Sequence, residues 1–190
     1  MPVKLGATPE HGFDQPLGLL SDCHRRIENF LGVMIRVLER SDDGSKPLAP
    51  EARNALEAAL KYFDVAAPRH TQDEEASLFP RLRESKDPDA LAALARMQSL
   101  EEDHRRADAM HDEAKTLCRR WLDTGPLPPA EISRLDELLR ELQQMYARHI
   151  SLEDSELFPL ASRVLDREQI EQLGKEMAQR RGLSVPPPKR

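Results

Sequence analysis

Cysteine, aromatic residues and long apolar runs are all scarce in this chain of 190 residues. Cys23 and Cys118 are the only cysteines, too few for a disulfide framework or a thiolate zinc site. Aromatics make up 4% of the chain, which argues against a β-sandwich, whose strands favour aromatic and β-branched side chains. No apolar run approaches the roughly 20 residues of a membrane-spanning helix. The opening MPVKLGATPEHGFDQP has no apolar segment of the kind a secretory signal needs. Positive charge is also not in excess: the net charge is −6 and the pI is near 5.6. Neither nucleic acid nor a membrane is therefore an expected partner, and a reducing, cytoplasmic setting is expected.

What the chain does have is charge, at 33% of residues, together with recurring Ala, Leu, Glu and Arg. That mixture favours long amphipathic helices. A chain of this length buries roughly 70% of its unfolded surface in one core, so one domain over residues 1–190 is expected.

Punctuation divides the chain into about five helices. The first carries Leu20, Ile27, Phe30, Leu31, Met34 and Leu38 at three- and four-residue steps and should stop at the Asp-Asp-Gly-Ser cluster. The second begins near Pro50 and runs toward Leu82, with Pro68 kinking or breaking it. Asp87-Pro88 is an N-cap followed by Pro at the first helical position, opening a third helix that ends at LDTGP. A fourth runs from the PPAEI stretch to the VL after Pro159. Asp166 and Gln169 resemble a capping box for a short fifth helix, closed by Gly182 and the proline run. The reading is all-α: an up-down-up-down four-helix bundle core over about 14–165, an accessory helix at 166–181 packed outside it, and a frayed basic tail, QRRGLSVPPPKR.

One pattern, Arg-His, a Glu four residues after the His and then Leu-Phe-Pro, occurs twice. RHTQDEEASLFP stands at 69–80 and RHISLEDSELFP at 148–159. In each, a His is followed four residues later by a Glu, placing both on one helical face about 6 Å apart along the axis. His24 and His104 put an imidazole on each remaining long helix. Facing His-plus-carboxylate pairs are how helical bundles build two-metal sites. Four imidazoles and two shared carboxylates supply four protein donors to each of two ions, with positions left open. Such nitrogen and oxygen donors suit iron better than calcium or magnesium, with copper or zinc competing on affinity.

The stretches DCHRRIENF and LEEDHRRAD, with the two H-x-x-x-E-x-x-x-L-F-P units, resemble the hemerythrin-like, or HHE cation-binding, family. These residues span 22–159. The resemblance implies a four-helix bundle carrying two iron ions, an oxo- or hydroxo-bridged non-haem diiron centre. It places His24 and His70 on one iron and His104 and His149 on the other, with Glu74 and Glu153 bridging. Oxygen-carrying hemerythrins have a further His four residues after the one on the third helix, where this chain has Asp108. Their last-helix acid is an Asp one position further along, here Asp154. Asp108 either leaves one iron with an additional open position or supplies an oxygen donor, so sensing or redox turnover gains over reversible oxygen carriage.

Other residues have plainer expectations. His111 is two turns beyond His104, roughly 10 Å away, and is read as structural or as supporting the site. Tyr146 either donates a hydrogen bond in the site or packs the core, and His11 is solvated. Leu78-Phe79 and Leu157-Phe158 seal the site, and Pro80 and Pro159 end or bend their helices. Cys23 is a buried or partly buried free thiol, and Glu28 mimics the ligand spacing without a role. Glu75 and Glu156 are solvated or salt-bridged edges, while Arg69 and Arg148 pair with acids on neighbouring helices.

Three functions compete. The first is a protein that binds or senses dioxygen or nitric oxide, or responds to iron and oxygen, signalling through a separate partner. The second is a diiron redox enzyme acting on peroxide, nitric oxide or ferrous iron, with a separate electron donor because no flavin or nicotinamide motif is present. The third is a zinc-binding or purely structural helical module.

Overall fold

The computed structural model describes residues 9–41 and 46–183, and every regular element among them is helical. Helix α1 spans Pro16–Arg40; the Asp-Asp-Gly-Ser cluster beyond it lies outside the described residues. A second rod is assembled from α2 (Pro50–Val65), α3 (Ala67–Asp73), a π-helical turn over Glu74–Leu78 and α4 (Phe79–Glu84). The third comprises α5 (Pro88–Ala92) and α6 (Leu94–Thr124), so the single third helix expected from Pro88 is interrupted at Ala93. The fourth is α7 (Pro129–Leu152), a second π turn over Glu153–Leu157, and α8 (Phe158–Val164). Helix α9 spans Arg167–Arg180. Helix α1 packs on α2 and α7, and α6 packs on the same two, which closes the long helices into a ring.

Local chemistry explains the boundaries. The Asp87 carboxylate accepts from the amides of Asp89 and Ala90, capping α5. Asp166 and Gln169 form the expected capping box at α9. Ala66, just before Pro68, keeps a right-handed helical conformation at the break between α2 and α3, and its N–H still bonds to Tyr62 O.

Pro80 and Pro159 do not end their helices; the chain continues helically to Glu84 and Val164. A proline nitrogen cannot donate, and its ring crowds the carbonyl one turn back. The π turn just upstream absorbs this conflict. Phe79 N–H bonds to Glu74 O and Phe158 N–H to Glu153 O, each five residues back. The wider turn also keeps His70, Glu74, Leu78 and Phe79 buried together, and likewise His149, Glu153, Leu157 and Phe158. A strict α-helix would rotate a four-residue spacing progressively off one face. Single π turns inside α-helices occur often at functional sites.

The core is divided. One apolar cluster contains Phe30, Tyr62, Trp121, Leu138 and Ile150; the other contains Leu20, Leu78, Phe79, Leu100 and Leu157. Helix α9 contributes fully buried Leu173 and Met177 to the second cluster, so it is a core element as well as an outer layer. Its Gly174 meets the incoming chain so closely that a Cβ there would lie 1.9 Å from Phe13 O. The tail was expected to fray, yet Arg180 and Arg181 are ordered and bind Asp73. Gly182 has φ 69° and follows the end of α9 as expected, while the proline run lies outside the described residues.

Candidate metal centre

Between the two apolar clusters lies a layer of buried polar side chains. His24 falls between Leu20 and Ile27 on α1, and His104 between Leu100 and Ala107 on α6. His70 with Glu74, and His149 with Glu153, occupy the same level on the other two rods. None of the six is more than 6% exposed, and both glutamates are fully buried.

Their donor atoms converge. Glu74 Oε1 lies 3.2 Å from His70 Nε2 and 3.7 Å from His24 Nε2, while its Oε2 lies 3.4 Å from His104 Nε2. Glu153 Oε2 lies 3.1 Å from His24 Nε2 and 3.2 Å from His149 Nε2. Two groups have ligand atoms within 4.8 Å of one another: His24, His70, Glu74 and Glu153 in one, His104, His149 and Glu153 in the other. Asp108 belongs to neither.

These contacts lack hydrogen-bond geometry. His24 Nε2 and all four oxygens of Glu74 and Glu153 are buried without a hydrogen-bond partner. Each unsatisfied buried polar atom costs about 1–3 kcal/mol, and more when charged. A cation removes the conflict, since it accepts lone pairs from all of them. Two donors each about 2.1 Å from one ion and at right angles stand about 3 Å apart, close to the separations between these atoms. The donor set therefore fits a metal cation.

Ionisation shows the same tension. Burial, then the neighbouring Glu153 charge, pushes the Glu74 carboxyl up to about 7. Burial also opposes charge on Glu153, but His149 and His24 outweigh it and hold that carboxyl below the usual range. Burial and His24 push His70 well below its ordinary value. His24 is also opposed by burial, but Asp154, Glu153 and Glu74 raise it well above normal.

The outer nitrogens of three histidines meet carboxylates. His24 Nδ1 is 3.0 Å from Asp154, His104 Nδ1 is 2.8 Å from Glu75, and His149 Nδ1 is 3.4 Å from Asp103. An acid at Nδ1 fixes the tautomer that presents a bare Nε2 inward. His70 Nδ1 is buried without such a partner. Glu75 is thus salt-bridged as expected, but to a histidine of the site. Sequence reasoning missed this supporting role, although a signal was present: both units carry a second acid directly after the glutamate, Glu75 and Asp154. Each reaches across to the lone histidine of another rod.

A cavity of about 360 Å³ opens onto the centre, lined by His24, His70, His104 and His149 and, farther out, by Asp108 and Lys115. His111 and Tyr146 also line it, with His111 Nε2 2.9 Å from the Tyr146 hydroxyl. Burial pushes His111 down to about 4, so near neutrality its ring is uncharged and shares a hydrogen bond with the Tyr146 hydroxyl. The Phe158 ring stacks on His24 with centroids 5.3 Å apart, forming part of the expected apolar seal.

Several expectations are corrected. His11 is not merely solvated: its backbone N–H donates to Asp22 Oδ2 at 2.8 Å and its ring lies 3.2 Å from the same oxygen. Arg69 and Arg148 form no ion pair among the described residues; Arg148 points outward, and Arg69 lines a separate cavity. Cys23 is a buried free thiol and Glu28 is exposed, both as expected. No described helix is long and apolar enough to cross a membrane.

Comparison with known proteins agrees with this architecture. A protein of Haemophilus influenzae described as an uncharacterized protein is 27% identical over 172 residues, covering 89% of this chain and 91% of that protein. The family model for the hemerythrin HHE cation-binding domain matches residues 15–161. The four histidines of the buried layer and both π turns fall inside that match, and the chain belongs to the hemerythrin HHE cation-binding domain family.

Proposed function

We propose that the buried layer holds two iron ions and that the protein binds or senses dioxygen or nitric oxide there. His24 and His70 would hold one iron and His104 and His149 the other, with Glu74 and Glu153 shared. The observation that carries this reading is the set of converging donor atoms: His24 Nε2 and four carboxylate oxygens, buried with no hydrogen-bond partner. Iron held by these residues would supply redox chemistry toward a small oxidant.

The chain's own residues set the conditions for that chemistry. Asp154, Glu75 and Asp103 hold three imidazoles with Nε2 facing inward. Leu78, Phe79, Leu157 and Phe158 exclude water from one side of the layer. The cavity on the other side admits a small ligand, and the Tyr146 and His111 pair on its wall offers polar contacts. A second reading is turnover of peroxide or nitric oxide with a separate electron donor; the cavity of about 360 Å³ that opens onto the centre gives either small molecule access.

Metal analysis of protein produced without added metal tests the centre. Two irons per chain and a near-ultraviolet charge-transfer band support it, whereas a colourless zinc protein overturns it. Spectra of the reduced protein after addition of dioxygen, nitric oxide and peroxide then separate the functions. A reversible stoichiometric adduct supports binding, and repeated peroxide consumption supports turnover.

A further inference from the structure

A second cavity of about 360 Å³ shares no lining residue with the first. Its walls include Arg26, Arg69 and Arg181 beside Phe13, Leu19 and Tyr62. Arg181 is fixed in place: it donates to Asp73 Oδ2 and to Met177 O, both at 2.7 Å, and its guanidinium lies 5.8 Å from the centre of the Phe13 ring. The Arg26 guanidinium lies 5.3 Å from the centre of the Tyr62 ring, and its Nε is buried without a hydrogen-bond partner. Neither Arg26 nor Arg69 forms an ion pair among the described residues. Nearby acids are already engaged, Asp73 by Arg180 and Arg181, Asp22 by His11 and Arg25.

Two of these three guanidinium groups, those of Arg26 and Arg69, have no ion-pair partner among the described residues, in a protein whose net charge is −6. Acids are plentiful in the chain, yet none is among the described residues that line the cavity. A cation partly withdrawn from water gains strongly from an incoming counter-charge. The planar fork of arginine matches carboxylate and phosphate oxygens two at a time. Phe13, Leu19 and Tyr62 add an apolar wall, and the volume falls within the roughly 300–1,000 Å³ usual for small-molecule sites.

We propose that this cavity binds a small oxyanion, a carboxylate or phosphate group carried on an apolar body, seated among Arg26, Arg69 and Arg181. The site stands independently of the metal reading, since no residue of the converging metal groups lines it. It is nevertheless close in the chain to that centre: Cys23 and Arg69, both on its wall, directly precede His24 and His70.

Calorimetric titration at fixed ionic strength, with inorganic phosphate, phenyl phosphate and benzoate, tests the site. Saturable binding is expected, with phenyl phosphate about tenfold tighter than inorganic phosphate because its ring is buried. Phenyl phosphate binding more tightly than benzoate assigns a phosphate ligand, and the reverse order a carboxylate. Arg26→Gln and Arg69→Gln should each weaken binding at least about tenfold, while Arg148→Gln on the exposed face of α7 leaves it unchanged. Should Arg26→Gln fold poorly, Arg69→Gln alone decides. Heats that do not saturate, or that are the same in Arg69→Gln and Arg148→Gln, overturn the proposal. Metal content measured on the same samples keeps this result separate from the fate of the iron centre.

Discussion

Asp73 has no exposed surface, and Arg181 of the accessory helix's end reaches it from 108 positions away, donating to Oδ2 at 2.7 Å. Arg180 takes the other oxygen at 2.8 Å and also donates to Ser77 Oγ. Asp73 directly precedes Glu74, and Ser77 lies inside the same π turn. Arg81, one turn further, pairs with Glu176 of α9 through two hydrogen bonds at 2.8 and 3.0 Å. The end of the chain therefore clamps the backbone that presents one of the two central carboxylates.

That clamp has a measurable strength. Asp73→Ala leaves Arg180 and Arg181 without their acid, and breaking a buried pair costs about 3–5 kcal/mol. The arginines remain 21% and 18% exposed, which moderates the loss, so about 2–3 kcal/mol is expected. Thermal denaturation should show a midpoint lowered by about 5–10 °C, and metal should dissociate faster from the folded variant. An unchanged midpoint would remove α9 from any part in supporting the centre.

The acids behind the histidines make a different prediction. Glu75→Gln and Asp154→Asn keep shape but lose the charge that fixes the inward Nε2 of His104 and His24. Each should weaken metal affinity about 10- to 100-fold. Glu75 is 37% exposed and Asp154 36%, so stability should change by under about 1 kcal/mol. Chelator competition measures the affinity and chemical denaturation the stability. Equal affinity in variant and parent would reduce these contacts to surface ion pairs.

The contrast between what was readable and what was not follows from range. The all-α character and the pairing of His70 with Glu74 and His149 with Glu153 depend on helical period and a His-x-x-x-Glu spacing, both local, and the recurrence of Arg-His, Glu and Leu-Phe-Pro at the same spacing made the pattern stand out. The π turns were not legible, although each proline following Leu-Phe gave a hint, because the wider turn is one of several ways to relieve a missing donor. The pairing of Asp73 with Arg181 joins residues 108 positions apart, and no local pattern encodes it. Glu75 reads as a solvated or salt-bridged edge, and only the packing of α6 against its rod gives it His104 as the partner.

His111 should leave a mark on acid stability. Its pKa is pushed down to about 4 in the folded chain by burial, against an ordinary value of 6.5. As pH falls below 6.5 the unfolded chain takes up a proton that the folded chain refuses until about pH 4. Stability is thus lost across that window, by up to about 3 kcal/mol, and the loss levels off below it. His111→Gln keeps a hydrogen-bonding group for the Tyr146 hydroxyl but cannot titrate. Denaturant titrations of metal-free protein between pH 7 and 4 should show a shallower decline in the variant, and parallel curves would mean that the buried ring charges without penalty.

Glu74 carries the opposite sign and offers the strongest test of what the buried layer is for. Its folded-state pKa of about 7 lies above the ordinary 4.5, raised by burial and by Glu153. Between those values the folded chain holds a proton that the unfolded chain has released, so stability of the metal-free protein falls as pH rises through the window. At pH 8 two buried carboxylates then stand ionised side by side, at a cost of roughly 3 kcal/mol. Glu74→Gln removes one charge and leaves an amide that still lacks partners, so a net gain of about 1–2 kcal/mol is expected at pH 8 and little change at pH 5. The same substitution should abolish metal loading. A residue whose removal stabilises the empty fold and destroys binding is retained for its ligand. If metal-free Glu74→Gln is instead less stable than the parent at pH 8, the carboxylate supports the fold itself, and the case for Glu74 as a shared metal ligand loses its energetic basis.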